Sequence, residues 1–138
     1  MIEKKCGADD DTGIENALCR TVVVFFAKNG GFERFTENNE IVDCSQCGGA
    51  GVGDPFQQVV IKNGYFTIEQ FYGACTKTTT YTTFKYSKQD NDFFLHKFSS
   101  ESYDCRESEN KDGEIQVKDK IVETTKDFGK IKFADYSE

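Results

Sequence analysis

The chain has 138 residues, a length that fits one domain, and its 13 Phe and six Tyr can build a core without Trp. Its 17 Lys and Arg against 24 Asp and Glu leave a net charge of −7. That argues against a nucleic-acid backbone or an anionic membrane surface as partner, because both need a basic face. The acidity suits a cationic protein partner, and it is also what a plain soluble surface carries.

Six cysteines (Cys6, Cys19, Cys44, Cys47, Cys75 and Cys105) are spread along the chain. In a cytosolic protein they would suggest metal or redox chemistry, and in an exported one they read as disulfides. Met1-Ile2-Glu3-Lys4-Lys5 has no apolar h-region behind it, and no run approaches the ~20 apolar residues of a membrane span. The cysteine count and the Thr- and Asn-rich strands favour a periplasmic or extracellular protein whose leader is not part of this sequence.

In chain order, residues 1–19 form a polar N-terminal segment in which Cys6 and Cys19 bracket Asp9-Asp10-Asp11-Thr12-Gly13. Three adjacent aspartates do not give the alternating ligands of a calcium loop. The reading is a solvated acidic loop closed by a Cys6–Cys19 disulfide. Thr21–Ala27 is β-branched and aromatic, apolar on both faces as a central strand would be. Asn29-Gly30-Gly31 turns the chain, Phe32 and Phe35 lie in the returning strand, and Ile41 and Val42 lead into a cysteine loop.

That loop, Cys44–Phe56, holds a Cys-x-x-Cys pair, four glycines (Gly48, Gly49, Gly51 and Gly53) and the chain's one proline. Phe56–Lys62 then reads as a strand, and Asn63-Gly64 as a type I′ hairpin turn. Tyr65–Tyr72 returns, with Phe66 and Ile68 on one face and Thr67 and Glu69 on the other. After Gly73-Ala74-Cys75, Thr76–Tyr86 is a half-exposed threonine strand with Phe84 and Tyr86 on one side. Lys88–Asp92 is a polar turn, and Phe93–Phe98 a strand that continues through Tyr103. Residues 106–113 read as a charged flexible loop. Ile115–Glu123 reads as an edge strand studded with charges that block edge-to-edge pairing. A last strand is expected over Phe128–Phe133, with Ile131 and Phe133 facing one way. Nowhere does an i, i+3, i+4 apolar pattern persist over three turns. The expected fold is mainly β, residues 1–138 forming one disulfide-stapled antiparallel meander folded into a sandwich or strongly bent sheet.

The order Asn29-Gly30-Gly31, Cys44-x-x-Cys47-Gly48-Gly49, Gly53-Asp54-Pro55-Phe56, Ile61–Ile68, Phe71-x-Gly73, Thr83–Tyr86 and Leu95-His96 resembles a group of small bacterial extracytoplasmic proteins and lipoproteins of no assigned activity. They carry a CxxCGG…GDPF…NG β module, often with an FG-GAP-like segment upstream. The resemblance spans about residues 20–98, and its specific part is the cysteine loop with Gly-Asp-Pro-Phe. It implies an envelope location and a β fold. Should the natural chain extend upstream of Met1, a further strand is expected there. The Asp9–Asp11 segment lacks the FG-GAP spacing, so no calcium site is carried over.

Candidate chemistry centres on Cys44 and Cys47. A zinc knuckle needs two further ligands, which Cys75 and Cys105 would have to bring from distant strands. A thioredoxin-like pair needs a helix N-terminus to lower the first thiol's pKa, and glycines and a proline follow instead. The favoured reading is a structural Cys44–Cys47 disulfide that fixes the loop's shape, with Cys75–Cys105 as the remaining bridge among fifteen possible pairings. The glycines lack the Lys-Ser/Thr of a phosphate loop. His96 lacks a triad around Ser99 or Ser100 and reads as a packed, hydrogen-bonded residue. A Glu69–Asp54 carboxylate pair has nothing to set it above chance. The face of Thr76–Thr83, with Tyr72 and Tyr81, could serve recognition. No cofactor and no metal are expected.

The expected function is a non-enzymatic envelope or secreted β-domain that binds another protein, of inhibitor or immunity type. Its binding loop would comprise Gly48, Gly49, Val52, Gly53, Asp54 and Phe56, held rigid so that little entropy is lost on binding. The alternatives are a thiol-redox or zinc module on Cys44 and Cys47, or a purely structural module of a larger envelope protein.

Overall fold

Two-residue Asn-Gly turns and period-2 alternation divide this chain into hairpins, and the hairpins stack as two antiparallel sheets. The computed structural model describes residues 2–5, 18–104 and 117–137. The first sheet has three strands in the order β1 (Ile2–Lys5), β2 (Leu18–Lys28) and β3 (Gly31–Asn38). The second has five in sequential order: β4 (Phe56–Lys62), β5 (Tyr65–Gly73), β6 (Thr76–Ser87), β7 (Asp92–Asp104) and β8 (Asp119–Thr124). Every pairing is antiparallel, so the sandwich-like, mainly β architecture stands as expected.

The turn chemistry explains the hairpins. Asn29 and Gly30, and again Asn63 and Gly64, have positive φ, the condition a type I′ turn sets for both central residues. In β5 burial alternates, with Phe66, Ile68 and Gln70 buried. Register places Phe66 opposite Phe84, Ile68 opposite Thr82 and Gln70 opposite Thr80, so β6 presents the same face inward. Phe84 and Leu95, then Tyr86 and Phe93, continue that face into β7.

Rings fill the space between the sheets. Phe66 and Phe84 stack at 5.2 Å between centroids, and Phe133 meets both edge-on at 5.4 and 5.1 Å. From the three-stranded sheet, Phe26 and Phe35 pack at 4.4 Å on each other and reach Phe93 at 5.9 and 6.1 Å. Offset and edge-on rings add attraction beyond area burial, about 0.5–1.5 kcal/mol per pair.

Two buried amides attach irregular backbone to this core. Asn38, at the end of β3, donates from Nδ2 to the carbonyls of Phe133 and Tyr136, both at 2.7 Å, and its Oδ1 accepts from the Glu40 and Ile41 amides. Gln70 accepts from the Asp43 amide and donates to the Ile41 carbonyl. Such fully satisfied polar groups stabilise one arrangement of the chain and heavily disfavour any that leaves them unpaired.

Three expectations are corrected. Residues 128–133 are not a strand. Thr124 and Asp127 form a capping box that starts a short helix, α1 (Thr125–Phe128), and the chain then makes a single bridge from Lys132 to Phe94 and a 3-10 turn at Phe133–Asp135. Phe133 and Ile131 still pack on the core. Second, β2 is not buried on both faces: Val22, Val24 and Phe26 pack inward, but Phe25 is 53% exposed on the outer face, because no further layer covers this sheet among the described residues. Third, Tyr72 and Tyr81 do not share a face. Tyr72 lies opposite Thr78 and Tyr81 opposite Glu69, an odd separation that sends them to opposite sides. The edge strand begins at Asp119. Residues 105–116, with the expected loop at 106–113, and the acidic loop at 9–11 lie outside the described residues.

Candidate functional site

The cysteine loop is a piece of scaffold. Cys44 and Cys47 form a disulfide with Cα atoms 5.1 Å apart. Cys19 and Cys75 are also disulfide-bonded, and the pairings expected for them, with Cys6 and Cys105, fall on residues outside the described set. The Cys47 amide returns to the Cys44 carbonyl at 3.0 Å, and Ser45 pairs with Leu18 at the start of β2 through both its amide and its hydroxyl. Gly48 is buried: its amide donates to the Gly53 carbonyl at 2.8 Å, and its carbonyl accepts from Gly73 at 2.7 Å. A Cβ on Gly48 would lie 2.7 Å from the Gly53 carbonyl oxygen, so only glycine fits. Gly73, in turn, has φ +116°, and a Cβ there would lie 2.0 Å from the Thr76 carbonyl oxygen.

Asp54 closes the loop. Its carboxylate takes both terminal nitrogens of Arg20, at 2.6 and 2.5 Å, and accepts from the Phe56 amide at 2.9 Å. Arg20 is 3% exposed while Asp54 is 48% exposed. The Arg20 hydrogen bonds hold the Asp54 carboxyl below its ordinary pKa against a smaller opposing effect of burial. The guanidinium also lies 6.0 Å from the Phe56 ring centre. This corner clamps the start of β4 to β2. Of the expected binding loop, then, Gly48 faces inward and Asp54 is committed to Arg20. Gly49 and Gly53 are exposed, and Val52 and Phe56 are half-buried.

Beyond the clamp, the described residues leave a groove between the sheets. This groove, of about 470 Å³, is lined by Val22–Phe26 of β2 and by Phe56, Val59 and Ile61 of β4, and Phe66, Tyr86 and Phe93 of the core also reach it. Val59 is 42% exposed and Ile61 80% exposed. Register puts Val59 opposite Ile68 and Ile61 opposite Phe66, so both point to the inner side of their sheet, where burial is expected. Among the described residues nothing covers them, the described part of β1 lying beside Leu18–Thr21. The spacing did carry a signal. Val22-Val23-Val24-Phe25-Phe26 and Val59-Val60-Ile61 are apolar without alternation, and such runs need cover on more than one side.

The other candidates have settled partners. On the outer face of the five-stranded sheet, Glu69, Glu101, Lys97 and Lys120 surround Tyr81. Lys120 donates to Glu101 at 2.6 Å, and burial, with Glu101 and Glu69, raises the Tyr81 pKa. Charges there balance. Glu69 accepts from Gln58 at 2.9 Å and Asp54 is held by Arg20, so each carboxylate has its own partner. His96 is exposed rather than packed in the interior, its ring 5.1 Å from that of Tyr65: the β-bulge between Thr83 and Phe84 shifts the register of β6 against β7 at this point. Ser99 and Ser100 are buried in β7. A wider depression of about 630 Å³ at Lys85–Asp90 is crossed by the Lys130–Asp90 pair at 2.8 Å.

Among the described residues, no three His, Cys, Asp or Glu side chains are grouped to hold a metal, and no helix is long and apolar enough to cross a membrane. Comparison with protein-family models, curated proteins and solved structures found no match for this chain.

Proposed function

We propose that this chain is a non-enzymatic, disulfide-stapled β-domain of the envelope or cell exterior that binds another protein through the apolar groove between β2 and β4. The single observation behind this reading is the exposure of Val59 and Ile61 on the inner side of their sheet, over an aromatic floor. Apolar surface in such a position marks an interaction site more often than an isolated exposed side chain does. Fully covering one aliphatic side chain contributes about 1.5–3 kcal/mol, so a few such contacts support a useful affinity.

In this reading the Cys44–Phe56 loop acts as shape. It holds β4 at a fixed place beside β2, and its exposed part, Gly49–Gly53, forms a rim next to the groove. The resemblance of residues 20–98 to envelope proteins, and the cysteine content, support an oxidising location. A compact acidic domain suits an inhibitor- or immunity-type role toward a cationic protein. The disulfide of Cys44 and Cys47 occupies both sulfurs that a zinc or thiol function would use, which counts against that alternative.

The test is capture from an envelope extract of the source cells with the unaltered chain, Val59→Asp/Ile61→Asp and Val52→Ser, with the captured protein then purified and its affinity measured. The reading expects a protein bound by the unaltered chain, lost with the groove variant and weakened less by Val52→Ser. A captured set that does not differ between the unaltered chain and the groove variant ends it.

A further inference from the structure

The outer face of the five-stranded sheet sorts its charges by position. Around Tyr81, at the middle of the sheet, acids and bases stand together: Glu69 and Glu101 with Lys97 and Lys120. Toward the Asn63-Gly64 turn they do not. Register places Lys62 opposite Tyr65, Tyr65 opposite Lys85, and Lys85 opposite Phe94, and directly opposed residues share a face. The Lys85 ammonium lies 5.3 Å from the centre of the Tyr65 ring, and that of Lys130 lies 4.5 Å from the Phe94 ring. Cation and ring therefore alternate along one line across the sheet. The rings hold these ammoniums by their negative faces, at about 0.5–1 kcal/mol for an exposed pair. Among the described residues Lys62, Lys85 and Lys88 form no ion pair. In a chain of net charge −7 this is a local excess of positive charge.

The line enters a hollow. The depression of about 630 Å³ beside the β6–β7 turn is lined by Lys85, Lys88 and Lys130, by Phe94, and by Gln89 and Asp90. Asp90 accepts from Lys130 on Oδ1 at 2.8 Å and from Ser87 on Oδ2 at 2.7 Å, and each carboxylate oxygen keeps a further lone pair.

This mixture narrows the ligand. Ammoniums attract an anion, and the ring offers an apolar surface. The Asp90 carboxylate repels a phosphate, yet it accepts hydroxyl hydrogens, as the Gln89 carbonyl does. A nucleic-acid strand brings a charge on every unit and would meet Asp90 with repulsion. An acidic peptide brings carboxylates but few hydroxyls. A sugar acid brings a carboxylate, a C–H face and donating hydroxyls together.

We propose that this hollow binds a uronate unit of an acidic polysaccharide. Its carboxylate lies against Lys85 and Lys88, its C–H face toward Phe94, and its hydroxyls on Asp90 and Gln89. The following units run over Tyr65 toward Lys62, two strands and ~10 Å from Lys85. The site is on the side of the sheet away from the apolar groove and does not depend on the protein-binding reading.

The test titrates the isotope-labelled full chain at low salt, where charge attraction is least screened, with short hyaluronan and oligogalacturonate fragments. Expected, with at least one of them, are saturable NMR shifts of the Lys85–Asp90 and Phe94–His96 amides. Lys85→Glu should weaken binding by about tenfold or more, since an attraction becomes a repulsion. Lys77→Glu makes the same charge change on the same strand and face, at the far end of the sheet, and should stay within about twofold. Asp90→Ala separates a sugar site from a plain patch of charge. Removing an acid strengthens the pull on any anion, whereas losing a hydroxyl acceptor should weaken the sugar about fivefold. Lys85 and Asp90 are exposed, so both variants are expected to keep the fold, checked by circular dichroism. No shift with either fragment, shifts confined to other residues, an equal loss with Lys77→Glu, or tighter binding by Asp90→Ala would each overturn the site. So would oligothymidylate or polyglutamate bound at these residues more tightly than both fragments, or an uncharged cello-oligosaccharide bound as well as they are.

Discussion

The Cys44–Phe56 loop and the β2–β4 groove share one corner, the Arg20–Asp54 pair, and are built in opposite ways. The loop concentrates unusual residues, and nearly all of them are used internally: a disulfide, a glycine with no room for a Cβ, a proline under 2% exposed, and an aspartate bound to a buried arginine. The groove is made of ordinary valines, aromatic rings and an isoleucine, left without cover among the described residues. Rare backbone residues mark places where the chain must be bent into a shape. Common apolar residues in the wrong solvent environment mark places where something else can sit.

That contrast can be broken by substitution, and the loop side should give the larger stability losses. Gly73→Ala forces a Cβ into the Thr76 carbonyl at a positive φ and should cost about 3 kcal/mol or more in urea unfolding. A loss under ~1 kcal/mol would mean that the chain from Gly73 to Thr76, to which the loop's Gly48 carbonyl is bonded, can relax around the added carbon. Asp54→Asn keeps an acceptor for the Phe56 amide but removes the charge that faces buried Arg20. Because Asp54 is half-exposed and screened by water, the loss should fall near ~2 kcal/mol, below the range for fully buried pairs.

The same pair sets a pH dependence. Folding lowers the Asp54 pKa, so its contribution is complete above the unfolded carboxyl value of about 3.9 and is lost as pH falls through the lower folded value. Between pH 5 and 3 the unaltered chain should lose more stability than Asp54→Asn, and parallel curves would show the pair to be idle. Next, Cys44→Ser/Cys47→Ser opens a very short loop and should cost roughly 2 kcal/mol by chain entropy. An intact-mass comparison with and without reductant checks that the bridge is present in the unaltered chain. Smallest of all, Ile61→Ser should change unfolding by less than about 0.5 kcal/mol, the usual range for surface positions, while removing partner binding. A loss of 2 kcal/mol there would show Ile61 to be core, and would place the groove on the same footing as the loop.

Much of the architecture was legible in local sequence because its causes are local. Asn-Gly pairs set turns through two residues' φ, and Phe66/Ile68 against Thr67/Glu69 set the faces of β5 through a period of two. The last segment departs from its strand pattern for a local reason too: Ile131 and Phe133 alternate like a strand, but Thr124 and Asp127 cap a helix just before them. Asn38 and Gln70 look like surface amides in sequence, and only the folded chain brings the Phe133, Tyr136 and Ile41 carbonyls and the Asp43 amide to them.

The candidate site divides along the same line. By itself the sequence determined that the protein is an antiparallel β-domain and that the chain bends sharply at Cys44–Phe56, since glycine, proline and closely spaced cysteines act on the backbone they belong to. Whether Val22–Phe26 is buried on both sides depends on which strand lies beside it and how far that strand runs. Those are facts of register between segments distant in sequence. Only the tertiary structure decides that Arg20 reaches Asp54 and that Val59 and Ile61 lie beside Val22–Phe26, uncovered among the described residues.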